Sequence, residues 1–177
     1  MMIKLMFAAV ALVALGVPAT AQQAAPAPVA AVATPAPVPA PVPAPPYGTP
    51  ITLAQAQRLI DRALAAARAR GFRMAIAVVE PSASLVAFAR MDDTQYGSII
   101  VAQEKAGSAA RFRTPTATMA KAVLDGRVTT LALPGALPIA GGRPIVVGGK
   151  IVGAIGVSGA SSAEDDEIAT AAMADLG

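Results

Sequence analysis

The sequence predicts an α+β domain with a mainly antiparallel sheet flanked by helices, and three observations predict it. Two stretches read as β-hairpins, amphipathic or alanine-rich helical stretches lie before, between and after them, and the central strands are apolar on successive residues rather than alternating. A strand apolar on both faces must be covered on both, by helices or by another subunit.

The elements follow in chain order. Met1-Met2-Ile3-Lys4 is a short positive start, Leu5 to Val17 is apolar, and Ala19-Thr20-Ala21 precedes Gln22. That order is expected of a secretory signal peptide over residues 1–21, cleaved after Ala21. A membrane span needs about 20 apolar residues, and this run stops short of that. Residues 22–50 are mostly Ala, Pro and Val, including Pro35-Ala36-Pro37-Val38-Pro39-Ala40-Pro41-Val42-Pro43. They read as a polyproline-II tether, a spacer or a partner-docking arm, reaching on the order of 90 Å when extended.

The folded domain is expected over residues 51–177. Thr52 and Gln55 have the spacing of a capping box, in which each side chain satisfies a free backbone donor of the first helical turn. Leu53, Ala56, Ile60, Ala63, Leu64 and Ala67 then recur at helical spacing, and Gly71 is placed for a left-handed cap. Strands are expected from Met74 to Glu80 and from Leu85 to Met91, turned by Pro81-Ser82-Ala83-Ser84. An alanine-rich helix follows from about Tyr96 to Phe112, and another from Thr114 as N-cap with Pro115 at the first position, ending before Gly126. Gly148-Gly149 is a two-residue turn signal between Pro144–Val147 and Ile151–Ser158. Glu164, Asp165, Asp166 and Glu167 crowd the start of the last helix, where carboxylates favour the positive end of its dipole; holding a hard cation is the alternative use of such a run.

Composition removes several function classes. The chain has neither histidine nor cysteine, so the commonest general base, the commonest transition-metal ligand and any disulfide are missing. The formal net charge is +3, and loss of Lys4 with the signal leaves 13 basic against 11 acidic residues, too little to argue for nucleic acid or a polybasic membrane surface. Gly156-Val157-Ser158-Gly159 is followed by Ala160 where a nucleophile elbow needs glycine, and its triad would need histidine. Gly149-Lys150 is followed by Ile151, so the hydroxyl of a P-loop is absent, and no Ser stands three residues before a Lys. The glycines are read instead as tight turns and close helix-to-sheet approaches.

Several motifs resemble one family. These are Val78-Val79-Glu80 through Leu85-Val86-Ala87-Phe88-Ala89-Arg90-Met91-Asp92, the helical stretch Ala102 to Lys105-Ala106, Gly141-Gly142-Arg143-Pro144-Ile145, and Val152-Gly153-Ala154-Ile155-Gly156-Val157-Ser158-Gly159 before the acidic helix start. Together they resemble the GlcG/HbpS family of small haem-binding-type domains, also described as DUF336-like and similar to the PduO C-terminal domain. The chain departs from the family's pattern at Glu80, at Ser82-Ala83-Ser84 and at Ser162-Ala163, and the lack of histidine puts imidazole-ligated haem out of reach.

The resemblance implies an α/β/α sandwich, assembly into a homo-oligomer, and binding of haem or a related tetrapyrrole. It also gathers the candidate ligand-binding residues: Arg90, Met91, Asp92, Tyr96 and Lys105, with Arg111 and Thr114 nearby in sequence. Arginine and lysine pair with carboxylates such as propionates, and Tyr96 or Met91 could ligate iron. Arg90 and Asp92 read equally as a surface ion pair, and Met91 as a core residue. The expectation is thus a periplasmic or secreted module holding haem or another carboxylate-bearing small molecule, with no nucleic acid and no membrane span after signal cleavage. A ligand-free structural or sensory envelope partner and a weak haem-degrading enzyme are the alternatives.

Overall fold

A computed structural model describes residues 43–174; the expected signal peptide and most of the tether lie outside them. The chain runs α1 (Leu53–Ala69), β1 (Ala75–Val79), β2 (Leu85–Arg90), α2 (Gly97–Phe112), α3 (Thr116–Leu124), a 3-10 turn (Val128–Ala132), β3 (Gly142–Val147), β4 (Lys150–Ser158) and α4 (Ser162–Met173). The strands form one antiparallel sheet in the order β2-β1-β4-β3. Helices α1 and α4 cover one face and α2 the other, so the α+β expectation holds and helices cover both faces of the central strands.

Local chemistry sets the element ends. The capping box is formed, with Gln55 N–H donating to Thr52 Oγ1 at 3.3 Å and Thr52 N–H to Gln55 Oε1 at 2.9 Å. At the other end of α1, Gly71 takes φ +73°, while its N–H and that of Phe72 return to the carbonyls of Arg68 and Ala67. The buried stripe of α1 is Ala56, Leu59, Ile60, Ala63 and Ala67. Leu53, expected on that stripe, is exposed instead. Helix α3 starts at Thr116 with Pro115 as its N-cap, not at Pro115 capped by Thr114. The reason lies upstream: Arg113 closes α2 in the left-handed region (φ 54°), so Thr114 serves as link between the two helices.

The two cores differ in side-chain size. On the α1/α4 face Leu59, Ile60, Ile76, Val78, Ile145, Ile155, Val157 and Ile168 interdigitate. On the α2 face the contact is built from Ala75, Ala77, Ala102, Ala106, Ala109, Ala110 and Ala154 with Val79. Small residues allow backbone to lie on backbone. A Cβ at Gly156 would stand 2.0 Å from the Ala102 carbonyl oxygen, and one at Gly142 2.3 Å from that of Lys105. Both positions therefore exclude any larger residue while α2 stays where it is.

The tether ends earlier than its composition indicates. Strand β1 stops at Val79 opposite Ala154, leaving the first residues of the longer β4 unpaired on that side. Pro46 to Ile51 fill this gap. Ile151 N–H donates to Pro46 O at 2.9 Å, Gly48 N–H to Ile151 O at 2.8 Å and Ile51 N–H to Val152 O at 2.7 Å, with a parallel bridge between Tyr47 and Ile151. Tyr47 also donates its phenol proton to the carbonyls of Ala110 and Arg111 at the end of α2 (2.9 and 3.0 Å), under the Arg113 guanidinium. The last residues expected in the tether, 46–50, thus pair with β4 and satisfy backbone groups on its free side.

Candidate functional site

The hairpin register builds the site. Ala75 pairs with Arg90 and Met91 N–H donates to Met74 O at 3.0 Å, so continuing the ladder brings Arg73 beside Asp92. The last turns of α1 supply Leu64 and Arg68 to the same place. The result is a cleft of about 490 Å³ lined by Leu64, Arg68, Arg73, Ala89, Arg90, Met91, Asp92 and Asp93. Sharing Arg90, Asp92 and Asp93 with it is a second cleft of about 610 Å³, completed by Thr94, Gln95 and Tyr96 where the chain enters α2.

The charged groups here are free of one another. Among the described residues the ion pairs are Arg70–Glu167, Lys105–Asp165, Lys121–Asp125 and Arg143–Asp166; none includes Arg68, Arg73, Arg90, Asp92 or Asp93. The Arg90–Asp92 pair is therefore not formed. Arg90 instead lies over the Tyr96 ring, 5.4 Å from its centroid, in a cation–π arrangement. Tyr96 is 81% exposed, while Met91 is half-buried and packs against the α1/α4 core. The connecting loop carries two anomalies. Asp93 adopts φ 61°, and the Thr94 hydroxyl, in a residue only 4% exposed, has no hydrogen-bond partner.

Of the seven sequence candidates, the structure brings Arg90, Met91, Asp92 and Tyr96 together and places the other three elsewhere. Lys105 is 1% exposed, and its ammonium donates to Asp165 Oδ2 at 2.7 Å and Val157 O at 3.1 Å. Asp165 also accepts from Ala160 N–H at 3.0 Å; burial pushes its carboxyl above the ordinary aspartate range, with the Lys105 and Ala160 hydrogen bonds pulling the other way. A lysine so committed is not a partner for a ligand carboxylate, which corrects its expected role. Arg111 lies on the last turn of α2 with its guanidinium against Gly107 and Gly135, and Thr114 lies in the α2–α3 link. Sequence reasoning missed Arg68, Arg73 and Thr94. The hairpin register was the available signal for Arg73; nothing local pointed to Thr94.

The acidic run is used up by structure. Glu164 forms a capping box with Ser161, Asp165 holds Lys105, Asp166 takes Arg143 bidentately and Glu167 pairs with Arg70. Ser161 hydrogen bonds hold the Glu164 carboxyl below its ordinary value. Each carboxylate has its own protein partner, leaving none for a shared cation.

This arrangement of sheet, helices and hairpin matches a family described as "Haem degrading protein HbpS-like", over residues 51–174. The chain belongs to that family. GlcG of Escherichia coli is 36% identical over 112 residues, covering 62% of this chain and 84% of GlcG. A crystal structure of a double mutant of HbpS from Streptomyces reticuli superposes with a TM-score of 0.69 at 33% identity, covering 81% of this chain and 99% of that one. PduOC, solved as a complex with heme, shares the fold at a TM-score of 0.66 and 21% identity, over 73% of this chain and 98% of its own. Family membership and fold thus agree with the motifs around Arg90 and Gly156.

Proposed function

We propose that this family member is an exported small-molecule-binding module that holds haem or a related tetrapyrrole in the double cleft around Arg90. The observation that carries the reading is the set of three arginines, Arg68, Arg73 and Arg90, converging on one cleft without an ion-pair partner among the described residues. Unpaired guanidinium groups gathered at one place are suited to carboxylates, which they bind in bidentate fashion. The family description and the heme complex of PduOC support a ligand of this class.

The side chains present fit a tetrapyrrole through its edge and one face. Arg68, Arg73 and Arg90 would hold the propionates; Leu64, Ala89, Met91 and the Tyr96 ring supply apolar surface. With no imidazole or thiolate in the chain, the cleft's own side-chain donors to iron are the Tyr96 phenol and the Met91 thioether. Bound haem would supply redox and oxygen chemistry; the protein's part is to orient it and neutralise its carboxylates.

The N-terminal pattern supports export to the periplasm, and no helix among the described residues is long and apolar enough to cross a membrane. Leu124, Val128 and Leu131 are exposed on α3 and the 3-10 turn, which favours self-association through that side. The reading is tested by titrating the mature protein with haem, following absorbance and native mass. Saturable binding weakened by Arg73→Ala and Arg90→Ala is expected. Wild-type affinity in both variants would overturn the site.

A further inference from the structure

At the entrance to α2 the Ser98 and Ile99 N–H groups turn back onto the Gln95 and Tyr96 carbonyls (both 3.1 Å), leaving the Gly97 amide and the Thr94 hydroxyl as donors. This 16-residue helix begins at Gly97 with Tyr96 as N-cap; no side chain caps it and its first turn contains no acidic residue. The positive end of its dipole is thus left uncompensated, at the wall of the second cleft. Beside it the Thr94 hydroxyl has no partner although the residue is more than nine-tenths buried and lines that cleft. Ser98, the second residue of the helix and equally buried, is satisfied by Gln95 Nε2 (3.1 Å) and Ser158 Oγ (3.2 Å), which leaves Thr94 as the unpartnered hydroxyl here. A buried hydroxyl without a partner is costly, and one placed beside an uncapped helix N-terminus calls for an acceptor.

We infer that this entrance is a subsite for a single carboxylate group of the ligand, held by the Gly97 amide, the Thr94 hydroxyl and Arg90. The inference deepens the reading above by naming where one carboxylate sits; it rests on that reading only for the identity of the larger molecule. Asp92 and Asp93 border the same cleft and set its charge against a dense anion. The subsite therefore selects a monovalent carboxylate over phosphate, the two aspartates facing whatever donors the ligand carries beside it.

The test uses the mature protein, simple anions as probes, and amide NMR. Acetate and propionate should shift the amides of Thr94 to Ser98 saturably, while chloride and inorganic phosphate at equal ionic strength should not. Thr94→Val keeps the side-chain shape and removes the unpartnered hydroxyl. It should raise the melting temperature of the ligand-free protein and weaken carboxylate binding about tenfold, as expected for losing a hydrogen bond to a charged group. A hydroxyl with a purely structural role would give the opposite stability change. Wild-type protein with no carboxylate response at these amides, an equal response to phosphate, or a Thr94→Val protein that titrates like wild type overturns the subsite. Haem titration separates the two ideas: a carboxylate response without haem binding refutes the tetrapyrrole reading alone, and Arg73-dependent haem binding without the response refutes the subsite alone.

Discussion

Replacing Lys105 by Met tests the buried ion pair that ties α2 to α4 through the end of β4. The side chains of Lys105 and Asp165 are 1% and 3% exposed and 2.7 Å apart. Met nearly matches the lysine stem, so the packing against Gly141 and Gly142 survives, but Asp165 keeps only the Ala160 N–H as a partner. Stranding one member of a buried pair costs about 3–5 kcal/mol. For a domain of this size that lowers the melting temperature by about 10–20 °C.

The pH dependence fixes the cause. Burial already holds the folded Asp165 carboxyl above its ordinary value, and loss of Lys105 raises it further. A carboxyl raised on folding favours the folded state while protonated, and that advantage is lost as pH climbs from the ordinary value to the raised one. The deficit of Lys105→Met should therefore shrink by about 1.4 kcal/mol for each pH unit descended between the folded Asp165 value of the variant and that of the wild type, below which both proteins gain alike. Urea unfolding of both proteins at pH 7, 6 and 5 measures it. A deficit below about 1 kcal/mol at pH 7, or one constant across the three pH values, would refute the stranded charge.

Other outcomes follow from the same geometry. Removal of residues 22–42 should leave thermal unfolding unchanged, whereas removal through residue 50 should lower it, because Pro46 to Ile51 satisfy the free side of β4. Tyr47→Phe, which loses the phenol bonds to Ala110 and Arg111, should cost about 1 kcal/mol in denaturant unfolding. Arg90→Ala should weaken haem by about 1.5–3 kcal/mol in an absorbance titration, and Tyr96→Phe should change the spectrum of the complex if the phenol ligates iron. Gly156→Ala should give little soluble folded protein on expression, since its methyl group would overlap the Ala102 carbonyl and α2 has no room to retreat.

Features encoded by a few neighbouring residues were legible in the sequence. The Thr52/Gln55 capping box, the Gly71 cap, the Gly148-Gly149 turn and the doubly buried β1 all follow from spacing, since each needs only local hydrogen bonds or a run of apolar residues. The site was half legible. Arg90, Met91, Asp92 and Tyr96 are close in sequence and remain close in space, but Arg68 and Arg73 join them only through the α1–β1 turn and the hairpin register. Lys105 was misread because its partner is 60 residues away on α4. A local signal did exist: Ala102 and Ala109 stand three residues before and four after it, on the stripe that lies against the sheet. A lysine in such a stripe is buried with the stripe, and its charge then requires a counter-charge from a distant element.

That placement has a consequence for how the cleft works. Helix α2 is fixed along its length by Gly156 against Ala102, Gly142 against Lys105, the Lys105–Asp165 pair, and Tyr47 at its last carbonyls. None of these holds the loop from Met91 to Tyr96, which connects β2 to that fixed helix and contains both the left-handed Asp93 and the unpartnered Thr94. The unmet hydrogen bond thus lies in the one connection that lines both clefts, while the elements on either side of it are packed. A ligand carboxylate at the entrance to α2 would relieve the unmet hydrogen bonding without moving the helix. Binding should therefore raise the protection of the Thr94 to Ser98 amides in hydrogen exchange and leave that of Ala106 to Ala110 unchanged; a change spread along the whole helix would mean that α2 itself shifts.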